Sequence, residues 1–312
     1  MVGAGAHVSS VQPEMVAVLE SGSLPVRRRR LSFRRRLFRV AGSIFVVASF
    51  SVVAMAFLSI VGDVFYKAMP GLNVRLLTES STGTAGGLKN AIEGTLVLSL
   101  GSLLVAAPIG IAAGIYLNEF GSNAGGKILR FLSDILVGVP SIVLGYVGYI
   151  TMVVYLGWQF SVAAGIITLS MMLLPYIART TELALGNIPQ SVREAGFGIG
   201  AGEGTVILRI LLPGAMPAVM TGLFYALALS MGETAPLIYT AGWSSYMWNG
   251  HFTKEPIGYL TYVIWTFINE PFREAHILAF SAAFLITLVI LLLILGGRWI
   301  MVHRLRRMGS YR

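Results

Sequence analysis

Five stretches of the chain contain no charged residue: Val40–Gly62, Gly94–Asn118, Ile135–Ala178, Ile210–Gly232 and Ile277–Gly297. An α-helix rises about 1.5 Å per residue, so roughly 20 apolar residues cross a hydrocarbon layer about 30 Å thick. Four of the stretches suit one crossing each. Ile135–Ala178 is long enough for two, and Gly157-Trp158-Gln159 is the natural place for the chain to turn within it. The pattern predicts six transmembrane helices and an all-α membrane protein, because a helix satisfies its own backbone groups in lipid.

Polar segments between the spans set the orientation. Arg27–Arg30, Arg34–Arg36 and Arg39 precede the first span, and Arg298, Arg304, Arg306, Arg307 and Arg312 follow the last. With Lys127, Arg130, Arg179, Arg193 and Arg209, they put eighteen of the 23 basic residues on one side. The other five, Lys67, Arg75, Lys89, Lys254 and Arg273, fall on the opposite side. Both termini and the loop before the fifth span are therefore expected in the cytoplasm of a cell with a plasma (inner) membrane. The net charge of +9 comes mostly from the tails and calls for no nucleic-acid partner, although the tails can touch anionic lipid headgroups. Composition agrees: 55% of residues are hydrophobic, 12% charged, and mean hydropathy is +0.76.

The expected organisation is an Arg-rich, disordered cytoplasmic tail over 1–37, a first transmembrane helix over 38–62, and an outer loop over 63–90. A core with five spans covers 91–298 and includes the polar loop 186–213; a basic cytoplasmic tail covers 299–312. Ala54-Met55-Ala56 has the look of a signal cleavage site, but apolar residues continue to Val61, which favours an uncleaved anchor. Ser80–Gly87 reads as turns. The aromatic residues Trp243, Trp248, Tyr259, Tyr262 and Trp265 suggest an interfacial helix over Pro256–Asn269, anchored at headgroup level or offered to an outside partner.

Enzyme chemistry has no foothold in this sequence. There is no G-x-x-x-x-G-K-[ST] loop to cradle phosphates, and the alternating glycines 196–204 do not complete G-x-G-x-x-G. Cysteine is absent, and His7, His251, His276 and His303 are too scattered to suggest a metal site.

The loop before the fifth span carries the most specific signal. Glu194-Ala195 is followed by Gly200 after four residues, then by Ile210, Leu212 and Pro213, giving E-A-x-x-x-x-G-x9-I-x-L-P. This spacing resembles the coupling motif of type I ABC importer permeases. Three further stretches extend the resemblance over about Gly87–Arg298: Gly110-Ile111-Ala112-Ala113-Gly114-Ile115-Tyr116-Leu117-Asn118-Glu119, Gly138-Val139-Pro140-Ser141-Ile142-Val143 and Gly232-Glu233-Thr234-Ala235-Pro236-Leu237. Together they are similar to the PstA-type permease subunit of the phosphate-specific transporter. Two positions depart from that pattern: Gly196 replaces a common Ala or Ser, and Leu229 stands where many relatives carry arginine.

The resemblance implies a six-helix permease fold with no cofactor in this chain. It implies a PstC-like second permease, two PstB-like ATPase subunits that use ATP-Mg, and an extracytoplasmic PstS-like phosphate-binding protein. Glu194, Ala195, Gly196, Gly200, Ile210 and Pro213 become the coupling residues: Ala195 and Gly196 admit a close backbone, Glu194 reaches a partner, Gly200 turns the chain and Pro213 opens helix 5. A permease for molybdate or sulfate, and an ion-coupled transporter without an ATPase, are the alternatives. A scaffold or sensor controlling its partners' signalling is a further reading.

Glu233 is the most telling charge within the spans. It falls 20 residues after Pro213, roughly 30 Å along a straight helix, so it belongs to the outer half of helix 5. Intramembrane carboxylates face a cavity or a partner, so two readings fit. Glu233 accepts a hydrogen bond from protonated phosphate in the pathway, or it pairs with an arginine of the second permease. Thr234 either donates to the anion or bonds its own backbone. Arg179 is either a pathway ligand or a partner of Glu182 near the cytoplasmic end of helix 4. Pro140 and Pro236 should interrupt helices 3 and 5.

Overall fold

A computed structural model describes residues 33–307. The basic stretches 1–32 and 308–312 lie outside the described residues, so the reading of the N-terminal tail rests on sequence. The chain divides into two compact units, 1–59 and 60–312. The first unit, where described, is the larger part of helix α1 (Phe33–Ala68), apolar on every side from Val40 onward as a lipid-embedded helix is. α1 begins before residue 38 and ends after residue 62, so the predicted span was too short at both ends. Lys67 pairs with Asp63 at 2.7 Å one turn away, which extends the helix past the apolar stretch.

In the second unit, the loop after α1 is folded. A helical turn at Val74–Thr78, capped by Asn73 accepting from the Leu76 N–H, leads to a small antiparallel hairpin of β1 (Ser81–Thr82) and β2 (Ala85–Gly86). Then come α2 (Lys89–Phe120), α3 (Ala124–Gly138), α4 (Ser141–Gly148, continued as a π-helical turn to Tyr155) and α5 (Val162–Gly186). A short helix α6 (Gln190–Gly198) precedes α7 (Leu212–Gly232), which breaks before α8 (Ala235–Thr240). Helices α9 (Leu260–Phe267) and α10 (Arg273–Arg307) complete the fold.

Among the described residues, five helices are long and apolar enough to cross a membrane, and α3 with α4 makes a sixth crossing bent by 99°. The bend falls at Val139-Pro140. Val139 is extended, as a residue before proline prefers, and Pro140 cannot supply the N–H that would continue α3. The turn between α4 and α5 falls where the sequence placed it, with Gly157 and Gln159 both at positive φ. Ser161 then caps α5 by accepting from the Ala164 N–H. The last helix continues to Arg307, so most of the expected tail 299–312 is helical.

α2 and α5 form the most extensively packed pair. Gly110 and Gly114 make this possible: a Cβ on Gly110 would stand 2.7 Å from the Ile177 Cβ. Small residues at such a seam let helices approach in lipid, where water supplies no hydrophobic drive. The first long motif thus has a packing cause. α7 packs against α10 and α5, and α9 against α10.

The aromatic segment after α8 differs from the sequence expectation. Trp243 stacks on Tyr262 with centroids 4.7 Å apart, and Tyr259 is buried beside Leu98, Leu169 and Ile257. These rings belong to the core, whereas Trp265 remains exposed. Buried Asn90 ties the β1–β2 hairpin to the segment after α8, accepting from the Ser81 N–H at 3.0 Å and donating to the Ser244 carbonyl at 2.9 Å.

Candidate functional site: two helix breaks and an exposed short helix

The two proline breaks meet. α7 ends at Gly232, Glu233 is extended, and Pro236 lies in the first turn of α8. Its missing N–H and its ring's clash with the fourth preceding carbonyl favour a break here. The break exposes the Glu233 carbonyl, which accepts the Thr261 hydroxyl of α9 at 2.7 Å. An interrupted helix inside lipid is tolerated where freed backbone groups are satisfied within the protein.

α4 and α8, the halves beyond the two breaks, lie against each other so closely that a Cβ on Gly145 would stand 2.6 Å from the Pro236 Cα. Ser141, the first residue of α4, lies near the half-buried Glu233 carboxylate. The two motifs G-V-P-S-I-V and G-E-T-A-P-L, about 90 residues apart, therefore form one junction. Glu233 and Thr234 stand together there; the Thr234 carbonyl accepts from the Ile238 N–H at 3.2 Å.

Arg179 belongs elsewhere. Its guanidinium donates to Glu182 at 2.7 Å, and the other oxygen of Glu182 takes Arg130 of α3 at 2.6 Å. The three charges border a cavity of about 300 Å³ with Asp134, Pro175 and Tyr176, which neither Glu233 nor Thr234 lines.

The loop before the fifth span contains helix α6, which carries three of the predicted coupling residues, Glu194, Ala195 and Gly196, on two faces. Glu194 and Ala195 are exposed, as are Phe197 and Ile199, the last at 81%. Gly196 is buried against the chain itself: a Cβ there would stand 3.0 Å from Ile210 Cδ1. The expectation that Gly196 admits a partner's backbone is corrected, because Ile210 and Val206 already cover it. The spacing between Glu194-Ala195 and Ile210 thereby acquires an internal cause. Gly200 has φ +78, a left-handed conformation in which other residues are strained, so it turns the chain as its position suggested.

Pro213 stands in the first turn of α7, as its position suggested. A short helical stretch from Glu203 and a π-helical turn, Val206–Leu211, lead into it. Wider turns of this kind accompany prolines that interrupt the regular ladder.

Sequence reasoning missed the pair that anchors α6. Arg193 donates to both oxygens of Glu119 at the end of α2, at 2.8 Å from Nη2 and more closely from Nη1. Asn118 donates to the same carboxylate at 2.7 Å. The Glu119 side chain is only 5% exposed and that of Arg193 22%. The available signal was an acid closing the apolar stretch Gly94–Asn118, which needs a cation nearby.

The geometry offers a broken-helix junction with one carboxylate, and a short helix with an uncovered apolar edge. Residues 106–310 match the family described as binding-protein-dependent transport system inner membrane component. Over 286 residues the chain is 46% identical to the phosphate transport system permease protein PstA 2 of Mycobacterium bovis, covering 90% of this chain and 95% of that one. The phosphate transport system permease protein PstA of Xylella fastidiosa is 35% identical over 240 residues, covering 76% and 83%. Among solved structures, an inward-facing MetNI methionine ABC transporter chain superposes with a TM-score of 0.59 at 20% identity, covering 69% of this chain and 95% of that one. That likeness concerns the fold.

Proposed function

The chain belongs to the family of binding-protein-dependent transport system inner membrane components, and from that premise we propose that it is the permease subunit of an ATP-driven inorganic phosphate importer. It is a multi-pass membrane protein, and permeases of this family act with a partner permease, an ATPase and a binding protein. The observation that carries the substrate is 46% identity with a phosphate permease across 95% of that relative's length.

The finer assignments follow from chemistry. The basic asymmetry puts α6 and both termini in the cytoplasm. There Phe197 and Ile199 enter a groove of a PstB-like ATPase, Ala195 allows close approach, and Glu194 makes a charge-assisted contact. Two such ATPases bind and hydrolyse ATP-Mg beneath this chain and a PstC-like permease; this chain contributes no catalytic group. Their closure displaces α6, and the two permeases rock so that a midplane site faces first a PstS-like binding protein and then the cytoplasm.

The α4–α8 junction lines that path. Phosphate near neutral pH keeps a proton, and the Glu233 carboxylate, steadied by Ser141, accepts the P–OH hydrogen bond that deprotonated sulfate lacks. Thr234 donates to the passing anion. Arg179 is engaged by Glu182 and stands away from this junction.

The test is uptake into proteoliposomes holding the assembled transporter. Phosphate should enter only with ATP, and Glu194→Lys should abolish entry while the chain still inserts. Transport by the purified chain without an ATPase, or full competition by sulfate, would overturn the reading.

A further inference from the structure

We propose that the buried Arg193–Glu119 ion pair is the stiff link that carries displacement of α6 into α2, which makes both side chains positioning residues for ATP-driven transport. The inference rests on the reading above, in which an ATPase docks on α6.

The covalent route from α6 on to α7 is soft. It contains Gly198, Gly200, Gly202 and Gly204, and a Cβ at any of them would meet no heavy atom within 4 Å. Glycines without neighbours leave the backbone free to flex rather than push. Apart from the three-residue link back to α5, side-chain contacts therefore decide where a displacement goes.

Two such contacts stand out among the described residues. Val192 and Gly196 lie against Val206 and Ile210 at the entry to α7, an apolar seam without directional bonds. Arg193 instead grips Glu119 with two N–H donors, fixing both distance and orientation. Glu119 cannot swing into water, being 5% exposed and held by Asn118 as well. Separating the pair strands a buried charge, so α6 and α2 move together.

What α2 then moves is also fixed. Gly110 and Gly114 bring it to backbone contact with α5 around Ile177 and Ala178. α5 carries Glu182, which holds Arg130 of α3, the helix that ends at the Val139-Pro140 bend. Two ion pairs and one glycine seam thus join the ATPase-facing helix to the α3–α4 break beside Glu233.

The experiment uses the complete transporter in proteoliposomes and measures phosphate delivered per ATP hydrolysed. Glu119→Gln and Arg193→Gln should let ATP hydrolysis continue while the ratio falls at least about fivefold, the lower end of usual inter-site coupling. Arg193→Lys, which keeps the charge and loses the fork, should fall between these and the parent. The double variant should be no worse than either single one, since both remove the same link. If Glu119→Gln does not assemble, Arg193→Lys carries the measurement. An unchanged ratio in complexes that retain the ATPase overturns the link, as does a double variant that multiplies the single effects. Failure of the parent α6 to crosslink to any ATPase overturns the functional reading instead.

Discussion

Gly145→Ala tests the junction of the two broken helices most directly. The added Cβ would lie 2.6 Å from the Pro236 Cα and 3.1 Å from its carbonyl oxygen. Carbon atoms rest about 3.5–4.0 Å apart, so α4 and α8 must separate by roughly 1 Å. Both obstacles are backbone, which no rotamer change can move aside. Overpacking of this kind costs about 1–3 kcal/mol, and better helix propensity returns at most about 1 kcal/mol. A net loss of one or two kcal/mol corresponds to roughly a 5–30-fold loss of the competent arrangement. The control is Gly138→Ala, where a Cβ would meet nothing within 4 Å. Phosphate uptake by the reconstituted transporter should drop by that factor for Gly145→Ala and stay near parental for Gly138→Ala. Equal behaviour of the two variants would refute the proposed contact between the breaks.

Three further outcomes are expected. Phe197→Asp should weaken ATPase capture in a detergent pull-down by about 30-fold or more, as for an interface anchor worth about 2 kcal/mol, without altering insertion. Gly200→Val should destabilise the assembled complex by about 1–2 kcal/mol in thermal unfolding, and Gly200→Asn by less, because the strain lies in φ +78 and not in crowding. Asn90→Ala should cost about 1–3 kcal/mol by unpairing the Ser81 N–H and the Ser244 carbonyl, and limited proteolysis should then cut the β1–β2 hairpin faster.

Uncharged length gave away the spans, because lipid tolerates few charges and a helix has a fixed rise. The turn at Gly157–Gln159 and the breaks at Pro140 and Pro236 were legible for equally local reasons. Boundaries were not: α3 begins at Ala124 although Lys127, Arg130 and Asp134 lie within it. Arg130 is admitted because Glu182, 52 residues away, neutralises it, and no local pattern reveals such a partner. The same applies to Glu119 and Arg193, separated by 74 residues. Among the proposed pathway residues, Glu233 and Thr234 were adjacent in sequence and remain so in space. Arg179 was separable from them only once Glu182 was seen to bind it. Gly196 was misread because a small residue signals close approach without saying to whom.

The ion pair between Arg130 and Glu182 bears on how this protein is made. α3 is only 15 residues long and carries three charges, Lys127, Arg130 and Asp134, too polar for the insertion machinery to recognise unaided. Its counter-charge is synthesised later, on α5. The first half of the bent crossing must therefore wait at the membrane surface until Glu182 emerges, so that two segments enter as a pair. A ribosome stalled before residue 182 should leave α3 accessible to aqueous reagents, with only α1 and α2 across.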